Sequence, residues 1–302
     1  MNTLVIILNW NGAADTRECL RSLRRSEGPR FDVLVVDNGS RRDDLDELRA
    51  AIADETLVDL PENLGFAGGV NVGLTHGLAR DYQAFLLLNN DAVVAPDCLG
   101  HLLQVAASDA RIGIAGAVNY YADDPDRVWY SGGHVNWATG ELTDPTAEKC
   151  DLSAFPLIRD VDDVAGSSLL VKREVVEKIG LLEPKYFAYY EETDWCVRAK
   201  RAGYRVVACR DAKAWHKVSR SLPGPGVHYL MVRNRCLFML RNAGAAHLLP
   251  FAYRQTRAAI GLWLRHRHAP AAPFAAAAMA AYEDVLSRRW GKGRVSRFSA
   301  AC

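Results

Sequence analysis

The chain has 302 residues, 49% of them hydrophobic and 24% charged, with 37 Lys+Arg against 36 Asp+Glu. That length holds one large α/β domain or a core domain with an appendage, and the composition is that of an ordinary globular protein. Seven cysteines with no C-x-x-C pair argue against a disulfide framework or a zinc knuckle, so reduced thiols in a cytoplasmic protein are expected.

Apolar runs alternate with helix-like segments through the first half. Strands are expected at Leu4–Asn9, Asp32–Asp37, Thr56–Leu60, Ala84–Asn89 and Ile112–Ala117. Helices are expected between them, at Ala14–Arg25, Asp43–Ala53, Ala67–Arg80 and Asp97–Ala107. This alternation predicts a mostly parallel sheet with helices on both faces. Residues 118–160, rich in Tyr, Trp, Gly and Asp, read as loops and short strands. Ser167–Lys172 is another strand, followed by a helix from Arg173. Thr193–Ala202 is helical, and Tyr204–Cys209 a short strand. From Val227 to about Trp290 the chain is helical in character, with breaks expected near Pro250 and Pro270. A boundary is set near residue 224, in Pro223-Gly224-Pro225-Gly226. It separates a sheet domain, 1–224, from a helical region, 225–302.

Charge is divided unevenly. Residues 1–200 carry a net −14 and residues 201–302 a net +15. A basic final third either packs on the acidic body or meets phosphate, as a diphosphate or an anionic lipid surface; a nucleic-acid partner is not expected. The first apolar run is too short for a signal peptide, and no apolar stretch is long enough to span a bilayer. The protein is therefore expected in the cytoplasm, in solution or peripherally on the inner membrane face.

Ligands of such sheets gather at the carboxyl ends of the strands. Polar residues cluster there: Asn9-Trp10-Asn11-Gly12, Asp37-Asn38-Gly39-Ser40, and Asn89-Asn90-Asp91. Asp91, just past a buried strand, suits a hard divalent cation that shares phosphate oxygens, and equally suits a turn or helix cap. Asp37 can accept from a base or ribose, or close a turn. The Gly-rich stretch Asn63–Gly73 allows close backbone approach but fits neither a dinucleotide nor a P-loop pattern. Glu191 and Glu192 follow an aromatic run and can act as a general base or simply favour a helix N-terminus. His216 is a candidate second metal ligand.

The order of these features carries more than any one of them. In Val5–Asn11, Val35–Ser40, Asn63–Gly73, Leu86–Asp91, Gly166–Arg173 and Tyr186–Arg198, with His216 and Arg233-Asn234, the chain resembles bacterial family 2 glycosyltransferases, closest to their rhamnosyltransferase-like branch. The resemblance implies the GT-A fold, a Rossmann-like three-layer α/β/α architecture, here with a C-terminal helical extension. It implies an inverting, metal-dependent transfer of rhamnose or another hexose from a dTDP- or UDP-linked donor to a hydroxyl. The acceptor would be a glycan, a lipid-linked precursor or a natural product. By similarity, Asn9, Trp10, Asp37, Asn38, Asn63, Gly68, Asn71, Asn89 and Asn90 contact the donor, and Arg233 and Arg235 would meet the diphosphate or an acceptor phosphate. Asp91 and His216 bind magnesium or manganese, and Glu192, or its neighbour Glu191, is the base. Asn89 replaces the first Asp of the family's metal motif, leaving Asp91 the single carboxylate there. The helical region would hold the acceptor, form a homodimer or touch membrane. Two other readings are a sugar-phosphate nucleotidyltransferase, against which the absence of a basic Gly-rich loop after the first strand counts, and a non-catalytic nucleotide-sugar-binding module.

Overall fold

The computed structural model describes residues 1–217, 224–266 and 272–298. Its centre is a twisted sheet in the order β10-β12-β6-β11-β4-β1-β2-β3. The strands are β1 (Thr3–Asn9), β2 (Phe31–Asp37), β3 (Thr56–Asp59), β4 (Ala84–Asn89), β5 (Ala92–Val94), β6 (Ile112–Tyr121), β7 (Val128–Tyr130), β10 (Ile158–Asp160), β11 (Ser168–Lys172) and β12 (Arg205–His216). Between β7 and β10, a separate hairpin pairs β8 (His134–Asn136) with β9 (Glu141–Thr143).

Residues of β1 alternate between two cores, which is why the strand reads as continuously apolar. Val5 and Ile7 face one side, with α1 (Ala13–Leu23) and α4 (Cys98–Ser108). Leu4 and Ile6 face the other, with α3 (Gly65–Leu78), α5 (Arg173–Ile179) and α6 (Glu191–Arg201). The sheet is mixed. Strands β3, β2, β1 and β4 run parallel, as do β6 and β12. The strand β11 enters between β4 and β6 and is antiparallel to both.

Strand β12 is longer than its apolar stretch predicts. A register shift between Cys209 and Lys213 lets it continue to His216 and pair with β5. The helix α2 (Arg42–Ala51) packs beside α1.

The C-terminal part comprises α7 (Pro225–Asn242), α8 (Ala245–His266) and α9 (Pro273–Leu286). The break expected near Pro250 is absent, because α8 runs through it. Pro250 lies in the second turn, where its missing N–H removes a single bond, and Leu248 and Phe251 anchor the helix on either side. Pro223 and Pro270 lie outside the described residues. No helix among those described is long and apolar enough to cross a membrane.

Candidate active site

The pairing of β5 with β12 sets Ala92 opposite His216, and this register brings Asp91 to the imidazole. Asp91 Oδ1 lies 2.9 Å from His216 Nε2. Lys217 N donates to the Asp91 carbonyl at 3.2 Å, fixing the turn. Asn89 Nδ2 lies 3.3 Å from the same Nε2, and the Trp129 ring packs 4.8 Å from the imidazole centroid. Burial alone would raise the Asp91 pKa; the hydrogen bond and charge of His216 outweigh it and hold the carboxyl below its usual value. Asn89 Oδ1 and His216 Nδ1 are buried without a partner.

A second group converges at the start of α6. The preceding turn holds Phe187, Tyr189 and Tyr190 at φ of 68°, 71° and 74°, a conformation unfavourable for side chains of this size. Packing enforces it. Ala67 N donates to the Phe187 carbonyl at 3.2 Å. Asn234 Nδ2 donates to the carbonyls of Tyr186, Ala188 and Tyr189 at 2.9, 2.7 and 2.8 Å. The turn delivers Glu191 and Glu192 into the first helical turn.

Three carboxyl groups meet there. Burial, then the charge of Glu192, pushes Glu191 well above its ordinary value. Burial also raises Glu192, but backbone hydrogen bonds from Glu192, Gly166 and Thr193 favour its charged form. Asp163 is pushed up to about 8 by burial and by Glu192, and Tyr130 Oη donates to it at 2.7 Å. One oxygen each of Glu191, Glu192 and Asp163 is buried without a partner.

Asp91, His216, Glu191, Glu192 and Asp163 line one cavity of about 400 Å³, walled by aromatic rings including Trp129. That volume suits a sugar ring with part of its neighbours. The donors fit a hard divalent cation: one carboxylate, one imidazole and the unpartnered Asn89 carbonyl, with phosphate oxygens completing the shell. No cluster of three or more His, Cys, Asp or Glu able to hold a metal occurs among the described residues.

Apart from Asn89, the expected donor contacts do not line this cavity, and several are engaged with one another. Asn9 Nδ2 donates to Asp37 Oδ1 at 2.8 Å, and its Oδ1 accepts from Thr16 Oγ1 at 2.7 Å. The buried Asp37 also accepts from the Ser40 amide at 3.0 Å and hydroxyl at 2.6 Å. Asn90 Nδ2 donates to Gly12 O and Thr16 Oγ1, both at 3.1 Å. Asn38 Nδ2 donates to Asn63 Oδ1 at 3.1 Å, and Asn63 Oδ1 accepts from Gly65 N at 2.7 Å. Asn71 brackets Leu182, accepting from its amide and donating to its carbonyl. Gly68 sits in the first turn of α3, where a Cβ would meet Leu64 Cβ at 2.7 Å. Trp10, half-buried, follows β1.

Arg233 does not meet the role expected of it at a diphosphate. Its side chain is fully buried. The guanidinium donates to Tyr186 O at 3.0 Å and Tyr229 Oη at 3.2 Å, so it braces the turn before α6. The sequence places Trp129 and Tyr130 in loops and short strands over the rim without giving them a role and misses Asp163, whose one signal is the acidic stretch Asp160–Asp163.

Comparison with known proteins follows the same lines. The family model "Glycosyl transferase family 2" matches residues 4–180, more than half the chain. A low-salt glycan biosynthesis hexosyltransferase of Haloferax volcanii is 26% identical over 225 residues, covering 70% of this chain and 66% of that protein. A dTDP-rhamnosyl transferase of Shigella flexneri is 23% identical over 220 residues, covering 70% and 71%. Among solved structures, a mannosyltransferase of Pyrobaculum calidifontis in complex with GDP-Man and Mn2+ superposes with a TM-score of 0.60 at 17% identity, over 95% of this chain and 88% of that one. This likeness establishes the GT-A fold.

Proposed function

The chain belongs to glycosyl transferase family 2, and from that premise we propose that it moves a hexose, with rhamnose the leading candidate, from a dTDP- or UDP-linked donor to a hydroxyl acceptor in one inverting displacement. The observation that carries this reading is the single cavity that joins the Asp91–His216 pair to the buried carboxyl of Glu192.

Glu192 is assigned as the base. Backbone N–H groups at the start of α6 favour its carboxylate, and burial keeps it basic enough to take a proton. Burial and the charge of Glu192 favour the protonated form of Glu191, so Glu192 is preferred as the base. The acceptor oxygen forms its bond to the anomeric carbon as its proton passes to Glu192. The bond from that carbon to the donor phosphate breaks, and the nucleoside diphosphate leaves with the electron pair. Inversion follows from one displacement.

Asp91 and His216 would hold magnesium or manganese, whose charge would neutralise the departing diphosphate. Trp129 and the aromatic residues beside it exclude water from the reacting carbon. The network of Asn9, Asp37 and Asn90 stiffens the rim on which the nucleotide would rest, with Trp10 and the backbone around it offered to the base. The dTDP-rhamnosyl transferase among the relatives supports a deoxyhexose donor. The test is a panel of dTDP-, UDP- and GDP-sugars with nuclear magnetic resonance of the product. Transfer from a dTDP- or UDP-sugar with inverted anomeric configuration is expected; retention, or nucleoside-triphosphate-dependent release of inorganic diphosphate, would overturn the reading.

A further inference from the structure

Helix α8 carries a feature that the transfer reaction does not use. One side packs inward: Leu248 and Phe251 join the core around Phe238, Leu262 joins that around Tyr229, and Gln255 accepts from Tyr282 Oη at 3.0 Å. The opposite side is apolar and open. Leu249 is 71% exposed, Tyr253 63%, Ile260 53% and Leu264 49%, and helical spacing puts all four on one strip. The exposed Arg254, Arg257 and Arg265 border that strip, and α8 contains no Asp or Glu. Among the described residues none of the three is in an ion pair; Arg257 lies 5.8 Å from the Tyr253 ring.

The open surface continues beyond the helix. Two apolar cavities, of about 310 and 230 Å³, adjoin along α8 and α9 and share Ala259, Ile260, Tyr282 and Leu286. An exposed apolar surface this continuous marks a binding face.

Charge identifies the occupant. A two-fold pairing of α8 strips would crowd arginines from both copies without a carboxylate on the helix to offset them. An anionic bilayer supplies the opposite charge and takes the apolar side chains into its headgroup boundary. We infer that α8 lies in the plane of an anionic lipid surface, with Leu249, Tyr253, Ile260 and Leu264 inserted and Arg254, Arg257 and Arg265 on lipid phosphates. Val227, near the start of α7, lines the catalytic cavity, whereas Cys236 and Leu240, further along it, line the lipid-side groove. The helical rise over that interval places the two about 14–20 Å apart along α7. This inference rests on α8 and not on the reaction proposed above.

The test is flotation of the full chain with vesicles of phosphatidylglycerol and phosphatidylcholine, against phosphatidylcholine alone. Wild type should float with the anionic vesicles and release in about 0.5 M salt. The triple variant Leu249→Glu, Tyr253→Glu, Ile260→Glu should bind at least about tenfold less, with unchanged circular dichroism and unchanged donor turnover in solution. Arg254→Glu, Arg257→Glu, Arg265→Glu should lose the preference for anionic lipid. Wild type that stays down with anionic vesicles, or a triple variant that floats like wild type, overturns the inference. So does a dimer seen by light scattering that the triple variant dissolves while no vesicle binding occurs, since the face would then belong to a second copy.

Discussion

His216 Nε2 meets Asp91 Oδ1 at 2.9 Å because the last residue of β12 pairs with the first residue of β5, directly after the aspartate. Both side chains line the cavity that Glu192 also lines. Removing either side chain should therefore reduce donor turnover while leaving the fold intact. Asp91→Asn and His216→Ala are each expected to lower kcat on the order of 10²–10³-fold, and the double variant to lose less than the product of the two. Initial rates across this cycle check the coupling.

The two adjacent glutamates should behave differently. Glu192→Gln removes the proton acceptor and should reduce kcat by roughly 10²–10⁴-fold with donor affinity retained. Glu191→Gln replaces a group whose protonated form is favoured by burial and by the charge of Glu192, so its rate should stay within about tenfold of wild type. Calorimetric titration of donor alongside transfer rates separates the two.

Asp163 makes stability depend on pH. Its folded value, about 8, lies above the ordinary value of 3.8, so the folded state binds the extra proton. That contribution is complete below the ordinary carboxyl pKa and is lost as pH rises through about 8. Wild type should show a falling Tm across this window, and Asp163→Asn should flatten the fall. Differential scanning calorimetry from pH 5 to pH 9 reads it.

Gly65, the first residue of α3, packs against Phe187 in the turn that carries the glutamates. Its φ is +77°, and a Cβ there would lie 2.4 Å from the Phe187 carbonyl oxygen. Gly65→Ala should cost about 1–3 kcal/mol of stability or more and should lower the transfer rate, because Phe187 belongs to the turn that sets Glu192. Urea denaturation and initial rates test both.

Much of this was legible in the sequence. The first four parallel strands and their helices follow from apolar runs and the residues that punctuate them, and Asp91 stands where a buried strand ends. What escaped depends on long-range register and packing. His216 is joined to Asp91 by the family resemblance alone; no local pattern places them together, which needs the bulge in β12. Arg233, which the resemblance puts at a phosphate, is buried, and its guanidinium supports the same strained turn whose carbonyls accept from its neighbour Asn234. Asp37 and Asn9 do stand at the rim, but their hydrogen bonds close on each other, a fact that spacing alone does not carry.

The most direct measurement is release of nucleoside diphosphate from the donor panel, by wild type and by Glu192→Gln, with manganese or magnesium and with chelator. Wild type should release it from a dTDP- or UDP-sugar only in the presence of divalent cation and acceptor, and Glu192→Gln should not. Equal release in chelator, or full turnover by Glu192→Gln, would contradict the proposed reaction.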